Sequence, residues 1–351
     1  MYSNILVDAF NYYLTQKEDN YKNTLKRVVG NIESVLLPHL DQGGHVYFLF
    51  DPLPAKNLNN TSYKRSSERT KISNYYKMHR ELSREDIKGL ILFREYLSNR
   101  DERFITVWNN NCEADDLVHA ILDTMVGQKV ALVTKDSDWS RYLDDNTFVT
   151  DYKMKEPVTA GKYEEVHGYY PTVASVTFDK VLFGDRVDYI INVFDEMRLK
   201  YKQTVLWKLS QAFVQELGQT KESLESVVER IKNYTSYSLL QLQASGSKER
   251  PAEQALFREL LGSEKGIENN FQRDILRNVE LVRSRFKGHI QEFYHHSKTP
   301  DEAFCSLIDA TIGLGKFKKK FQFGDMWRKS GSFEPLFFLV YILFNFIVYN
   351  V

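Results

Sequence analysis

Seven carboxylates stand at the ends of four short apolar runs. Asn4–Val7 ends at Asp8, and Val46–Phe50 ends at Asp51. Phe104–Trp108 leads into N-C-E-A-D-D, which supplies Glu113, Asp115 and Asp116. Val130–Thr134 leads into K-D-S-D-W, which supplies Asp136 and Asp138. A single Asp in such a place is usually a turn or cap residue, because its side chain accepts from nearby backbone N–H groups. Four consecutive acidic strand ends are different. In an open parallel sheet, ligands sit beyond the carboxyl ends of the strands. Carboxylates gathered around one cleft repel each other and are tolerable with cations between them. Hard oxygen donors with few histidines nearby favour Mg²⁺ or Mn²⁺ over zinc. The stretch T-F-D-K-V-L-F-G-D-R-V-D-Y-I adds Asp185 and Asp188, three residues apart. On a helical turn both would share a face.

These residues need a scaffold, and the first half of the chain reads as one. The helical spacing of Leu25, Val28, Val29, Ile32, Val35 and Leu36 predicts a helix closed by Pro38. Ser83 with Asp86 forms a capping-box pattern that opens a helix through about Leu97. Another helix is expected from about Ala114, and Thr147–Thr150 reads as a fifth strand. Strands separated by helices predict an α/β fold, a mostly parallel sheet flanked by helices. From about Pro171 the pattern is mostly helical, and residues 196–300 offer no convincing strand. The expected organisation is a domain over 1–175 with an insertion near 55–85, a helical region over 176–335, and an apolar segment over 336–351.

Composition narrows the classes. The 351 residues carry 47 Lys and Arg against 47 Asp and Glu, so the net charge is zero and a histone-like basic protein is excluded. Local patches still allow nucleic-acid binding. Two cysteines, Cys112 and Cys305, rule out a disulfide scaffold and a Cys-rich zinc module. The start, MYSNILVDAF, lacks a signal-peptide pattern, so a cytoplasmic location is expected, the host cytoplasm for a viral protein. Leu336–Val351 is 16 residues long, roughly 24 Å as a helix and short of a ~30 Å hydrocarbon core. No stable membrane insertion is expected; a buried C-terminal element or a self-association surface fits better.

Two stretches are basic. Residues 61–80 carry six Lys and Arg against one acid, among Tyr63, Tyr75 and Tyr76. Lys64, Arg65, Arg69, Lys71, Lys77 and Arg80 are candidate contacts to single-strand phosphates, with the tyrosines available to stack bases. K-F-K-K-K-F supplies Lys316, Lys318, Lys319 and Lys320 as candidate duplex contacts.

The ordered set of nine acids resembles the 5′-nucleases, PIN-like enzymes that include flap endonucleases and the bacteriophage 5′–3′ exonucleases that remove RNA primers. Asp8 in ILVDAFN and Asp51 in YFLFD are similar to the first two family aspartates. CEADD resembles the E-A-D-D motif, TKDSDW the T-x-D-x-D motif, and GDRVD the G-D-x-x-D motif. The resemblance implies a PIN-like sheet with a helical arch formed by the insertion. It implies two Mg²⁺ ions, replaceable by Mn²⁺, about 3.5–4 Å apart, one supplying hydroxide and one stabilising the departing oxygen. Asp8, Asp51, Glu113 and Asp115 would hold the tighter metal, and Asp136, Asp138, Asp185 and Asp188 the second. Asp116 would serve either, and Lys64 the scissile phosphate. The implied activity is hydrolysis of DNA phosphodiesters at 5′ ends or flaps, or of RNA–DNA hybrids, within a viral replication apparatus that offers protein partners. The chain departs from the family pattern in three places. Ala9 follows Asp8 where glycine is usual, Ser67 stands at the arginine position of Tyr-Lys-x-x-Arg, and Ile190–Lys202 has no glycine. The family's phosphate-gripping hairpin is therefore expected to be altered or lost. Two other readings are a PIN-like endoribonuclease and a non-catalytic nucleic-acid-binding scaffold.

Overall fold

A computed structural model of the chain describes residues 1–53, 69, 72–73, 82–196, 203–262, 271–296 and 301–313. Lys64, Arg65, Lys71, Lys77, Arg80, Lys316, Lys318, Lys319, Lys320 and the apolar stretch Leu336–Val351 lie outside the described residues.

Six strands form one sheet in the order β5-β4-β1-β2-β3-β6. They are β1 (Tyr2–Asp8), β2 (Leu40–Phe50), β3 (Phe104–Trp108), β4 (Val130–Val133), β5 (Thr147–Thr150) and β6 (Tyr294–His295). The first five are mutually parallel, and β6 runs antiparallel to β3. Because successive strand residues point to opposite faces, the sheet has two apolar sides. Ile5, Val7, Phe48 and Val133 face one core, while Leu6, Leu49, Val107 and Leu132 face another. Such strands are apolar on both faces, as parallel strands covered by helices must be.

The helices are α1 (Ala9–Leu14), α2 (Tyr21–Asn31), α3 (Arg84–Arg100), α4 (Ala114–Leu122), α5 (Ala160–His167), α6 (Val173–Phe183), α7 (Val193–Glu196), α8 (Gln203–Thr220), α9 (Leu224–Asn233), α10 (Ser236–Ala244), α11 (Pro251–Leu261), α12 (Phe271–Val282) and α13 (Glu302–Ile312). The Ser83–Asp86 capping box is present: the Ser83 hydroxyl accepts from Asp86 N, and Asp86 accepts from Ser83 N. Pro38 lies in a 3-10 turn, Leu37–His39, that follows a π-helical turn after α2.

Two expectations are corrected. The second strand starts six residues earlier than its apolar run, at Leu40. Residues 196–300 do contain a strand, β6, too short at two residues to show alternation. The apolar residues of α6 share a core with Leu143 and Tyr163 before it and with α8, α11 and α12 after it. The chain also returns to its beginning: Cys305, Ile308 and Ile312 of α13 are buried in the core that holds Ile5 and Phe48. Among the described residues no helix is long and apolar enough to cross a membrane.

Candidate active site

Register brings the strand ends to one level. Val7 pairs with Phe48 on one side and Val133 on the other, and Phe50 pairs with Trp108. The residues that follow each strand therefore emerge together at the carboxyl edge. There a cleft of about 530 Å³ is lined by Asp8, Asp51, Asp115, Asp136, Asp185 and Asp188, with Lys135, Lys180 and Asn11. Phe10, Leu14 and Leu82 supply its apolar wall.

Hydrogen bonds hold five of the six aspartates in place. Asp8 caps α1, accepting from Asn11 N at 3.0 Å, and its other oxygen accepts from the Thr134 hydroxyl at 3.2 Å. Asp51 accepts from Ala114 N at 2.8 Å, tying the end of β2 to the start of α4. The Trp139 indole N–H donates to Asp115 Oδ1 at 2.7 Å. Asp136 accepts from Asp138 N at 3.0 Å. Asp185 accepts from Val187 N at 2.8 Å and Asp188 N at 3.2 Å. Asp185 and Ile190 also exchange two backbone bonds of 2.8 Å. Asp185 and Asp188 thus share the cleft through a closed turn, not a helical face. Gly184, at φ +79°, makes that turn possible: a Cβ there would lie 2.7 Å from Ile190 O and 2.8 Å from Asn192 N. The turn reaches the left-handed region without glycine at Tyr189, with φ 57°.

The electrostatics follow from crowding. Burial pushes the Asp8 carboxyl well above its ordinary range, and Asp115, Asp51 and Asp136 push it further; the Asn11 N–H bond opposes this. Burial works against the charged form of Asp185 too, but Lys180 and the turn N–H groups outweigh it and hold that carboxyl below its ordinary range. Among the described residues no three His, Cys, Asp or Glu side chains converge closely enough to enclose an ion as they stand. Asp51, Asp115 and Asp136 nevertheless each act on Asp8, which places all three within electrostatic reach of it. Like-charged side chains spread apart, and small rotations gather them around a cation. An all-oxygen donor set of this kind fits a hard divalent ion.

Three of the nine acids are engaged elsewhere. Glu113 and Asp116 turn to Arg69, at 3.0 and 2.7 Å. Asp138 is held by Arg141 at 3.1 Å and by Lys180, which also reaches Asp185 at 2.8 Å. Arg69 itself, read from the sequence as a phosphate contact, is only 4% exposed and is committed to these buried acids. The reason is that the two acids sit beneath water-excluding neighbours, where a fixed guanidinium is the partner that makes their burial tolerable. Sequence reading missed Lys180 and Lys135. Lys180 had a signal, a lysine on the last turn of the helix leading into G-D-x-x-D; Lys135 had only its place between Thr134 and Asp136.

No protein-family model matches the chain, and no curated protein matches it. Among solved structures it is similar to the T5 5′-exonuclease bound to divalent metal ions (zinc), with a TM-score of 0.48 and 17% identity over 80% of this chain and 89% of that one. It is similar to the bacteriophage T5 flap endonuclease in a pseudo-enzyme–product complex with DNA and metal ions, with a TM-score of 0.45 and 14% identity over 88% of this chain and 99% of that one. It is also similar to the catalytic core of Rad2 in complex with a DNA substrate, with a TM-score of 0.43 and 16% identity over 88% of this chain and 87% of that one. The site described above rests on this chain's own residues.

Proposed function

We propose that the chain is a divalent-metal-dependent nuclease that hydrolyses DNA phosphodiesters at or near 5′ ends, as a flap endonuclease or 5′–3′ exonuclease. The observation that carries this reading is the single cleft lined by six aspartates from four strand ends and one closed turn. Asp8, Asp51, Asp115, Asp136, Asp185 and Asp188 would hold the ions, Mg²⁺ by the hardness of the donors, with Mn²⁺ as a substitute. Bound there, divalent ions supply a hydroxide near neutral pH and offset charge on the phosphoryl group. The protein's own contribution is placement. Asn11, Thr134, Ala114 and Trp139 fix the carboxylates through the bonds above, and a preset site avoids reorganisation during reaction. Lys180 and Lys135 put positive charge on the cleft wall, where a phosphate diester would enter.

Removal of RNA primers and a role in viral replication follow from the same motif resemblance. The test offers 5′-labelled single-strand, flap, nicked-duplex and RNA–DNA substrates, each with Mg²⁺ and with chelator. Cleavage near the 5′ end that stops with chelator is the expected result. Chelator-insensitive cleavage, or none on any substrate, would sink the reading; cleavage confined to internal positions of single-stranded RNA would favour an endoribonuclease.

A further inference from the structure

Asp8, Asp51, Asp115 and Asp136 reach the cleft from the ends of β1 to β4, whereas β5 delivers bases. It ends at Thr150, and the residues after it read D-Y-K-M-K. In the parallel register Val133 pairs with Thr150, and Thr134 N donates to the Thr150 carbonyl at 3.1 Å. Lys135 and Tyr152 therefore leave the sheet side by side, at the same edge as the acids. Lys135 lines the cleft, and its Nζ lies 5.4 Å from the centroid of the Tyr152 ring. Lys153 Nζ lies 5.5 Å from the same centroid. Both lysines are exposed, as is Lys155.

The turn that presents them is tied down on every side. Asp151 serves its own backbone: its Oδ1 accepts from Lys153 N at 2.9 Å and from Lys155 N at 3.4 Å. Its carbonyl accepts from Met154 N at 3.0 Å, and the Thr150 hydroxyl donates to the Lys155 carbonyl at 3.2 Å. Met154 adopts φ 50°, a conformation costly for a residue with a side chain, and that side chain is buried in the core that holds Ile5 and Phe48. The Tyr152 ring packs against the same core. Across the edge, Lys135 N donates to Asn11 Oδ1 at 3.2 Å. The backbone beneath both ammoniums is thus fixed, while their four-carbon stems remain flexible.

Charge then selects the ligand. The neighbouring acids have other duties: Asp136 lines the cleft, Asp151 holds the turn, and Glu156 pairs with Lys162 at 3.2 Å. Two ammoniums set around one ring bring two positive charges to one place, and they gain most from a ligand with more than one negative charge. A phosphodiester carries a single charge, whereas a terminal phosphate monoester carries about 1.5–2 at pH 7 and offers three acceptor oxygens. Exposed cation–π contacts are weak enough to be given up for charge-assisted hydrogen bonds.

We propose that Lys135 and Lys153, set around the Tyr152 ring, form a subsite beside the metal cleft for the terminal 5′-phosphate of a single strand, so that the chain favours 5′-phosphorylated ends and cleaves close to them. The proposal deepens the reading of the cleft as a 5′-nuclease centre and rests on it.

The test measures the affinity of the full chain for a 3′-labelled single-stranded oligodeoxynucleotide by fluorescence anisotropy in chelator, with the 5′ end either phosphate or hydroxyl. The wild type should bind the phosphorylated form about tenfold more tightly, a modest return for charge-assisted hydrogen bonds. Lys153→Ala should cut that ratio to about twofold or less. Lys155→Ala removes the same charge from the same turn and should leave the ratio near its wild-type value. The same pair of oligonucleotides is then followed for cleavage with Mg²⁺. Equal affinity of the wild type for the two ends overturns the subsite, and cleavage of both ends in that case leaves the nuclease reading standing. An equal fall of the ratio in Lys153→Ala and Lys155→Ala also overturns the subsite, because general attraction then accounts for the preference. A wild type that prefers the phosphorylated end but cleaves neither keeps the phosphate subsite and sinks the nuclease reading.

Discussion

Asp115 and Asp179 show how the same residue type acquires opposite duties from its surroundings. Asp115 lines the cleft with five other aspartates and is oriented by the Trp139 indole. Asp115→Asn keeps the shape and the indole bond but removes a charge from the cleft and some repulsion on Asp8. We expect cleavage to fall at least about 100-fold, with Tm unchanged or slightly raised. Wild-type turnover at saturating Mg²⁺ would remove Asp115 from the site. Asp179 sits on α6, where burial raises its carboxyl to about 6 and a bond from Tyr169 only partly offsets this. The unfolded chain releases that proton near pH ~3.9. The folded state therefore binds it more tightly, so the associated stability is complete below pH ~4 and is lost as pH rises through about 6. By pH 7 the loss reaches up to about 3 kcal/mol. Asp179→Asn should raise Tm at pH 7 and leave it nearly unchanged at pH 4; an equal shift at both would show that the proton is not involved.

Strand ends were legible in the sequence because each needs only a local signal, an apolar run that stops at an acid. Parallel register then does the rest, lifting Asp8, Asp51, Asp115 and Asp136 to one edge. The helix α3 was legible for the same reason, since its capping box is contained in four residues. What stayed hidden depended on distance or on backbone shape. Arg69 meets acids 44 and 47 residues away, and in a basic run a buried arginine looks like any surface one. Asp185 and Asp188 were legible as a pair but not as a turn, because helical spacing does not reveal that Gly184 leaves the helix at φ +79°. That turn gives an element-scale prediction. In Gly184→Ala the new Cβ would press on Ile190 O and Asn192 N in a backbone region that L residues rarely adopt. The combined strain and overpacking should cost about 2–5 kcal/mol. Because relief requires the turn to shift, cleavage should drop at least tenfold even well below the lowered Tm, checked by kinetics at a temperature where circular dichroism shows full folding. A folded variant with normal kinetics would mean that Asp185 and Asp188 do not serve the reaction.

Across the whole molecule the charges cancel, 47 against 47, so any attraction to nucleic acid comes from how they are separated. Six aspartates line the cleft, and a basic run, residues 61–80, lies in sequence between Asp51 and Leu82, which both border that cleft. Arg69 divides this run into two functional kinds. It is spent internally on Glu113 and Asp116, which leaves Lys64, Arg65, Lys71, Lys77 and Arg80 as the candidate phosphate contacts. Each contact made to a single strand releases counterions and steepens the dependence of log K on log salt by about 0.7. Replacing those five residues by alanine should therefore flatten the slope for single-stranded 5′ ends by as much as about 3.5. Tm is expected to change less than in Arg69→Ala, which removes the guanidinium paired with Glu113 and Asp116. Arg69→Ala should do the reverse, lowering Tm with little direct effect on the slope. Binding isotherms between 50 and 200 mM salt, paired with thermal melts, separate the two patterns. An unchanged slope in the five-residue variant would show that the run is solvated and takes no part in binding, and an equal loss of Tm in both variants would show that the run is structural throughout.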